Sequence, residues 1–204
     1  MARTAPDIDG RTARAARTRD AVAAALLDLL ERGNLRPTAR QVAEAAGVSL
    51  RSVFQHFDDL DTLFAEVADR QIRRLQALMP TPPSSAPFRE RLDKFTQERC
   101  RILEAISPVR RAAVLQEPFS DIVAERLKWV REAAQAELAA AFAPELGRRR
   151  PEDRPELLAA LDIASNWGTW EALRSQHGMS TEAASRTMTR MIEALLKEEP
   201  SWSI

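Results

Sequence analysis

Every stretch of this sequence with a sustained apolar pattern has the period of an α-helix. Apolar side chains recur at intervals of three and four residues, as at Val22, Leu26, Leu29 and Leu30. No stretch alternates apolar and polar residues as a strand does, tyrosine is absent, and only six residues are glycine. The sequence therefore predicts an all-α fold.

The composition places few further limits on the class of protein. Hydrophobic residues make up 45% and charged residues 29% of the 204 residues, which is ordinary for a soluble globular chain. No apolar run approaches the roughly 18 residues of a membrane span, and the Arg-rich N-terminus lacks the apolar core of a secretory signal. The single cysteine, Cys100, cannot form an internal disulfide. We expect a cytoplasmic protein with no membrane partner.

Proline and glycine divide the chain into predicted helices. We expect residues 1–10 to form a flexible arm and a first helix to run from Thr12 to Arg32, ended by Gly33. A cluster of four prolines at 80–87 marks the clearest boundary. Beyond it we predict helices at 88–106, 109–116, 118–142, 156–177 and 181–198, with a break at Pro108 and a surface loop at 143–155.

Two short helices joined by a tight turn are predicted between Thr38 and Phe57. Thr38 and Gln41 form a Thr-x-x-Gln capping box at the start of the first short helix. Gly47 supplies the turn, and Ser49 can cap a second short helix that ends at His56. This pattern is typical of a helix-turn-helix. Asp58, together with Asp61, is expected to cap the fourth helix.

The second short helix has the side chains of a DNA-recognition helix. In the major groove, Arg favours guanine and Gln favours adenine through paired hydrogen bonds, and the helix starts at Thr38 and Ser49 can anchor phosphate. The first 57 residues contain nine Arg and six acidic residues, a net charge of +3 within a chain that is neutral overall. A purely structural role for His56 remains open. The predicted DNA contacts are Arg36, Thr38, Arg40, Ser49, Leu50, Arg51, Ser52, Phe54, Gln55 and His56.

The segment from Pro37 to Val67 resembles the DNA-binding domain of the TetR family of bacterial transcriptional regulators. The matching runs are Ala46-Gly47-Val48-Ser49, Val53-Phe54-Gln55-His56-Phe57 and Leu63-Phe64, and the helix count and chain length extend the resemblance to the whole sequence. The chain departs from the family pattern at Phe54, where a Tyr hydroxyl is common, and at Leu60, where a Lys is common. We therefore expect a lower DNA affinity that depends more on Arg36, Arg40 and the arm arginines, which are Arg3, Arg11, Arg14, Arg17 and Arg19.

The resemblance implies a fold of about nine helices, with an N-terminal three-helix domain followed by a C-terminal helical bundle. The implied parts are an arm and DNA-binding domain at 1–57, a connecting helix and Pro-rich linker at 58–87, and a ligand-binding and dimerisation domain at 88–204. It also implies a homodimer that represses at an inverted-repeat operator, associates with the nucleoid through DNA, and is released by a small-molecule inducer. No other cofactor is expected.

The same resemblance implies two further sets of residues in the C-terminal part. The last two helices would form the dimer seam, for which the candidates are Ala164, Trp167, Leu173, Ala184, Met188, Met191, Ile192 and Leu195. An inducer cavity would lie in the same domain, and its candidate lining residues are Phe95, Cys100, Leu103, Trp129, Ala133, Asn166 and Trp170. For Cys100, a role as a small buried hydrophobe is the alternative to a sensor thiol.

Two other classes of protein were weighed against a DNA-binding regulator. An enzyme is not expected, because the sequence has no Gly-rich phosphate loop, no His-Glu-x-x-His or Cys-x-x-Cys spacing, and only two histidines. A dimeric ligand-binding or protein-interaction module with weakened DNA affinity is the other alternative, indicated only by Leu60 and the aspartates beside it. Salt-sensitive operator binding distinguishes the regulator from both.

Overall fold

A computed structural model describes residues 7–76 and 86–197, and every regular element in these two ranges is helical. The α-helices are α1 (Asp7–Glu31), α2 (Ala39–Ala45), α3 (Leu50–His56), α4 (Leu60–Gln76), α5 (Phe88–Gln116), α6 (Asp121–Ala141), α7 (Ala143–Gly147), α8 (Arg154–Ser165), α9 (Trp167–Glu171) and α10 (Thr181–Lys197). Because Asn166 alone separates α8 from α9, these two count as one interrupted helix. The predicted all-α fold of about nine helices, with an N-terminal helix-turn-helix, is confirmed for the described residues.

Two short non-α turns adjoin the α-helices. A 3-10 turn, Glu117–Phe119, precedes α6, and a single π turn, Ala172–Gln176, continues α9. Among the described helices, none combines the length and the apolar character that crossing a membrane requires.

The chain divides into two compact units. The first unit contains Met1–Arg73 and Pro108–Leu127, and the second contains Arg74–Ser107 and Lys128–Ile204. The helix-turn-helix, formed by α2 and α3, belongs to the first unit. The domain limits that the sequence indicates, after Phe57 and after Pro87, stay predictions.

The core of the first unit lies between α1, α2, α3 and α4. Each helix contributes side chains that recur at helical intervals in the sequence, because such a spacing places them on one face. The largest of these buried side chains are Val22, Leu26 and Leu30 from α1, Val42 from α2, Val53 from α3, and Leu63, Phe64 and Val67 from α4.

The core of the second unit surrounds Trp170 and Phe142, both fully buried. The rings of Phe95 and Phe142 meet edge to face, with centroids 5.1 Å apart. The same core holds a buried ion pair: Arg91 Nη1 and Nη2 donate to Glu145 Oε2 and Oε1 at 2.9 and 2.5 Å. Arg91 also donates to the carbonyl oxygens of Ala86 and Ala141, so its charge is well compensated away from water.

Some predicted helix limits were wrong. The chain is helical from Asp7, so residues 7–10 belong to α1 and not to an arm. The rest of the predicted arm, with Arg3, lies outside the described residues. Helix α5 continues through Pro108 instead of ending before it. A proline in a helix removes one hydrogen bond and clashes with the preceding turn. Here the packing of Leu103 before it and of Val109 after it, each in the core of its own unit, offsets that cost. The predicted loop at 143–155 also contains the short helix α7.

Candidate nucleic-acid interface

The turn between α2 and α3 is fixed by Gly47. Its φ of +65° lies in the left-handed region, which a residue with a side chain adopts only at a cost. The amide of Gly47 donates to the Glu44 carbonyl oxygen at 3.1 Å, and the Val48 amide donates to the Ala43 carbonyl oxygen at 3.0 Å. The turn is therefore closed by its own backbone, which sets the angle between the two helices.

Side chains cap both helices of the motif. The Thr38 amide donates to Gln41 Oε1 at 2.8 Å and the Gln41 amide donates to Thr38 Oγ1 at 3.3 Å, which confirms the predicted capping box. The Ser52 amide donates to Ser49 Oγ at 3.1 Å, as the sequence predicts. Thr38 and Ser49 therefore start α2 and α3 in the positions expected of helix caps.

The cap of α4 differs from the prediction. The Thr62 amide donates to Asp59 Oδ1 at 2.7 Å, so Asp59 and not Asp58 caps this helix. The hydrogen bonds from Thr62 lower the pKa of Asp59. One of the acidic residues that lowered the expected DNA affinity thus has a local structural role.

Helix α3 has one face buried and one face open to solvent. Val53 is 1% exposed and packs in the core of the first unit. Successive helix residues are about 100° apart, so Leu50, Phe54, Arg51 and Gln55 lie side by side on an arc of roughly 140°. All four are exposed. We call this arc the recognition face.

The other predicted DNA contacts lie around the recognition face. Ser52 and His56 are half-buried on α3 between the recognition face and the buried Val53. Arg36 precedes α2, Arg40 lies within it, and both are exposed. Leu60, where the family pattern has a Lys, packs partly buried against the core of the first unit. None of these placements tests a contact with DNA, so the predicted contacts stay predictions.

Arg19, one of the N-terminal arginines expected to support DNA binding, also holds the motif together, and its contact with DNA stays a prediction. Arg19 of α1 donates from Nε to both carboxylate oxygens of Glu66 on α4, at 3.0 and 2.8 Å. Its Nη1 donates to the His56 carbonyl oxygen at 3.0 Å, at the last residue of α3. The guanidinium also lies 4.7 Å from the centre of the Phe57 ring. No local sequence pattern marks Arg19 for this role, because its partners lie 37 and 47 residues away.

In the second unit, the residues predicted to line an inducer cavity differ in their surroundings, and their role in ligand binding stays a prediction. Phe95, Cys100, Leu103 and Trp170 pack in the core of this unit, whereas Trp129 is 46% exposed. Asn166 Oδ1 caps α9 by accepting from the Thr169 amide at 3.0 Å. The remaining candidate, Ala133, is half-buried on α6.

A groove of about 410 Å³ lies between α5 and α10 in the second unit. Cys100 belongs both to this lining and to the predicted set. Burial raises the pKa of its thiol, and its Sγ lies 3.6 Å from Met188 Sδ in the core. These surroundings favour the small-hydrophobe interpretation of Cys100. The residues that line the groove are Gln97, Cys100, Arg101, Glu104, Ala105, Thr181, Glu182 and Ser185.

Most residues predicted for the dimer seam are used inside the second unit. Ala164, Leu173, Ala184, Met188 and Ile192 are buried in its core, and Trp167, Met191 and Leu195 are half-buried against it. The Trp167 indole also donates to Ser107 Oγ at 3.1 Å. On the same helices Ile163, which is not among the predicted seam residues, has a side chain that is 63% exposed. In the sequence, the apolar residues around most of the circumference of α8 indicate that one of them faces away from the core.

The structure resembles solved structures across most of its length. It matches a transcriptional regulator from Rhodococcus sp. RHA1 with a TM-score of 0.66 and 24% identity, over 88% of this chain and 96% of that one. It matches a protein from Mesorhizobium loti named as a TetR-family transcriptional regulator with a TM-score of 0.62 and 21% identity, over 90% and 96%. A third match, also named as a TetR-family regulator and from Rhodococcus sp., has a TM-score of 0.66 and 19% identity, over 88% and 99%.

No protein-family model and no curated protein sequence matches this chain. The structural matches define an all-α protein with an N-terminal helix-turn-helix. More particularly, the chain has the fold of the TetR-type transcriptional regulators.

Proposed function

We propose that this protein is a transcriptional regulator that recognises DNA through α3. The observation that supports this proposal most directly is the recognition face, which presents Arg51 and Gln55 from a helix whose opposite side is anchored in the core. The fold, shared with proteins named as transcriptional regulators, supports it independently.

The side chains of the recognition face suit base recognition in the major groove. Arg51 can donate two hydrogen bonds to guanine, and Gln55 can pair with adenine. Both residues project from a helix that is capped at its start by Ser49 and closed at its end by Arg19. Because the helix is already held in place, little conformational entropy is lost on binding DNA, and more of the contact energy appears as affinity.

We further propose that the protein acts as a homodimeric repressor. A two-fold dimer places its two recognition helices about 34 Å apart, or a multiple of that distance, and so recognises an inverted repeat. The exposed Ile163 on α8, together with the half-buried Met191 and Leu195 on α10, supports a partner-facing surface on these helices. A repressor of this kind blocks transcription by occupying its operator.

Release by a small molecule completes the proposal. The groove between α5 and α10 has a volume within the usual range of ligand sites, about 300–1,000 Å³. Although Arg101, Glu104 and Glu182 contribute to the lining, the lining surface is almost entirely apolar, which suits a largely apolar effector. An effector that binds one dimer conformation more tightly shifts the population away from operator binding.

The test is a selection of bound sequences from random duplex DNA by the full-length protein. We expect enrichment of an inverted repeat, and an affinity for the enriched duplex that falls steeply with added salt. The variant Arg51→Ala should bind the enriched repeat more weakly and lose the preference at one base position of each half-site. Arg148→Ala, which removes an exposed arginine from the second unit, is the matched control and should retain both the affinity and the preference.

Failure of the selection would favour the alternative function. If the folded protein enriches no sequence at any salt concentration, a dimeric ligand-binding or interaction role with weakened DNA affinity replaces the regulator. The structure weakens the argument for that alternative, because Leu60 packs against the core and Asp59 caps α4. Leu60 and Asp59 thus each have a structural use in the first unit.

A further inference from the structure

The recognition face has two columns of different chemistry. Arg51 and Gln55 form a polar column, and Leu50 and Phe54 form an apolar column beside it. Leu50 is 40% exposed and Phe54 is 49% exposed, whereas Val53 of the same helix is 1% exposed. The core of the first unit therefore uses Val53 and leaves the apolar column facing outward.

Within the proposed regulatory function, on which this inference rests, we infer that Leu50 and Phe54 recognise the 5-methyl groups of thymine. Neither side chain can donate a hydrogen bond to a phosphate or to a base edge. The one apolar group that a base pair presents in the major groove is the thymine methyl. The apolar column therefore distinguishes thymine from cytosine, which has no group at that position.

The spacing of the two side chains fits neighbouring bases. Residues four apart on a helix are about 6 Å apart along its axis, and base pairs are stacked at about 3.4 Å. Leu50 and Phe54 thus span roughly two base-pair steps. The half-site recognised by one protomer contains thymine at one or two positions beside those bound by Arg51 and Gln55.

The experiment compares two random duplex libraries that differ only in the thymine methyl. One library is amplified with thymidine triphosphate and the other with deoxyuridine triphosphate, so that every thymine in the second is uracil. The sequence enriched from the first library is then made in both forms, and the affinity of the full-length protein for each form is measured. We expect the uracil form to bind about four-fold more weakly for each methyl contact that is lost.

Variants assign the effect to the apolar column. Because both side chains are exposed, Leu50→Ala and Phe54→Ala should leave the fold intact, which circular dichroism checks. Each should reduce the difference between the thymine and uracil forms, and the double variant should abolish it. Arg51→Ala should weaken binding to both forms and keep their ratio. Phe119→Ala, which removes an exposed aromatic ring outside α3, should change neither.

Two different failures are distinguishable. If the wild-type protein enriches the same sequence from both libraries and binds both forms equally, the inference is overturned while the regulator remains. The inference is also overturned if the double variant keeps the wild-type ratio. If neither library yields an enriched sequence, the proposed function itself fails, and the inference fails with it.

Discussion

Arg19 on α1 closes the carboxyl end of α3 while its guanidinium is held by Glu66 on α4. Arg19 Nη1 donates to the His56 carbonyl oxygen at 3.0 Å, and Arg19 Nε lies 2.8 Å from one oxygen of Glu66. Arg70, one turn further along α4, bonds to the same carboxylate and to Asp20 of α1. One network therefore ties the recognition helix to two neighbouring helices of the first unit.

Removal of Arg19 should weaken DNA binding without altering base preference. Arg19→Gln leaves the end of α3 without its donor and leaves Glu66 with Arg70 as its remaining partner, and we expect a loss of about 1–3 kcal/mol in the free energy of unfolding. Operator affinity should fall because α3 is held less firmly, whereas the selected sequence should stay the same. Arg17→Gln, an exposed arginine on the same helix, is the control for lost charge. Equal effects of the two variants would contradict the assigned role.

The same network predicts a dependence of stability on pH. The hydrogen bond from Arg19, supported by Arg70, lowers the pKa of Glu66 below its ordinary value of 4.5. The ionised Glu66 therefore contributes fully to the free energy of unfolding above about pH 4.5, and this contribution is lost as the pH falls through the lowered pKa. Between about pH 6 and pH 3, urea titrations should show a larger loss of unfolding free energy for the wild type than for Glu66→Gln. Parallel curves for the two proteins would show that Glu66 contributes nothing.

Breaking the buried ion pair of the second unit should reduce the free energy of unfolding far more than breaking an exposed ion pair. The side chains of Arg91 and Glu145 are 3% and 7% exposed, so Glu145→Gln leaves a buried guanidinium without its counter-charge. We expect a loss of about 3–5 kcal/mol. The control is Asp93→Asn, which breaks the exposed pair with Arg89 and should cost at most about 0.5 kcal/mol. Denaturant unfolding followed by circular dichroism measures the free energy of unfolding of both variants. If both changes are similarly small, the buried pair contributes no more than the exposed one.

Substitutions of two arginines of the helix-turn-helix should affect DNA binding in different ways. Arg51→Ala should cost roughly 1–3 kcal/mol of operator affinity and relax the preference at one base position. Arg40→Ala should weaken binding to all sequences alike and reduce the salt dependence by about one counterion. Titrations of the enriched duplex and of scrambled DNA, at several salt concentrations, separate the two. If Arg51→Ala weakens binding to all sequences equally, Arg51 contacts the DNA backbone and not a base.

The dimer prediction can be tested at Ile163. Because its side chain is 63% exposed in the protomer, Ile163→Arg should leave the fold intact but place an unpaired charge in an apolar interface. Light scattering at micromolar concentration should give a dimer mass for the wild type and a monomer mass for the variant. Ala140→Arg, an exposed position on α6, should remain dimeric. A dimer mass for Ile163→Arg would place the interface elsewhere.

Features set by neighbouring residues were predictable from the sequence. The limits of α2 and α3, the capping box of Thr38 and Gln41, and the turn at Gly47 follow from side chains that bond within three or four residues. The all-α fold follows in the same way, because helical periodicity is a local pattern. Even here, the choice of Asp59 over Asp58 as the cap of α4 depended on a backbone geometry that the sequence leaves open.

Tertiary structure decided what depends on distant partners. Pro108 was expected to end a helix, but core packing on both sides of it outweighs the lost hydrogen bond. Arg19 was expected to support DNA binding, which stays a prediction, and the partners that it has in the fold lie 37 and 47 residues along the chain. Apolar periodicity on α10 showed which residues avoid water. Whether Met188 and Ile192 meet their own core or a partner depends on which surfaces the folded chain brings together, and here it is their own core.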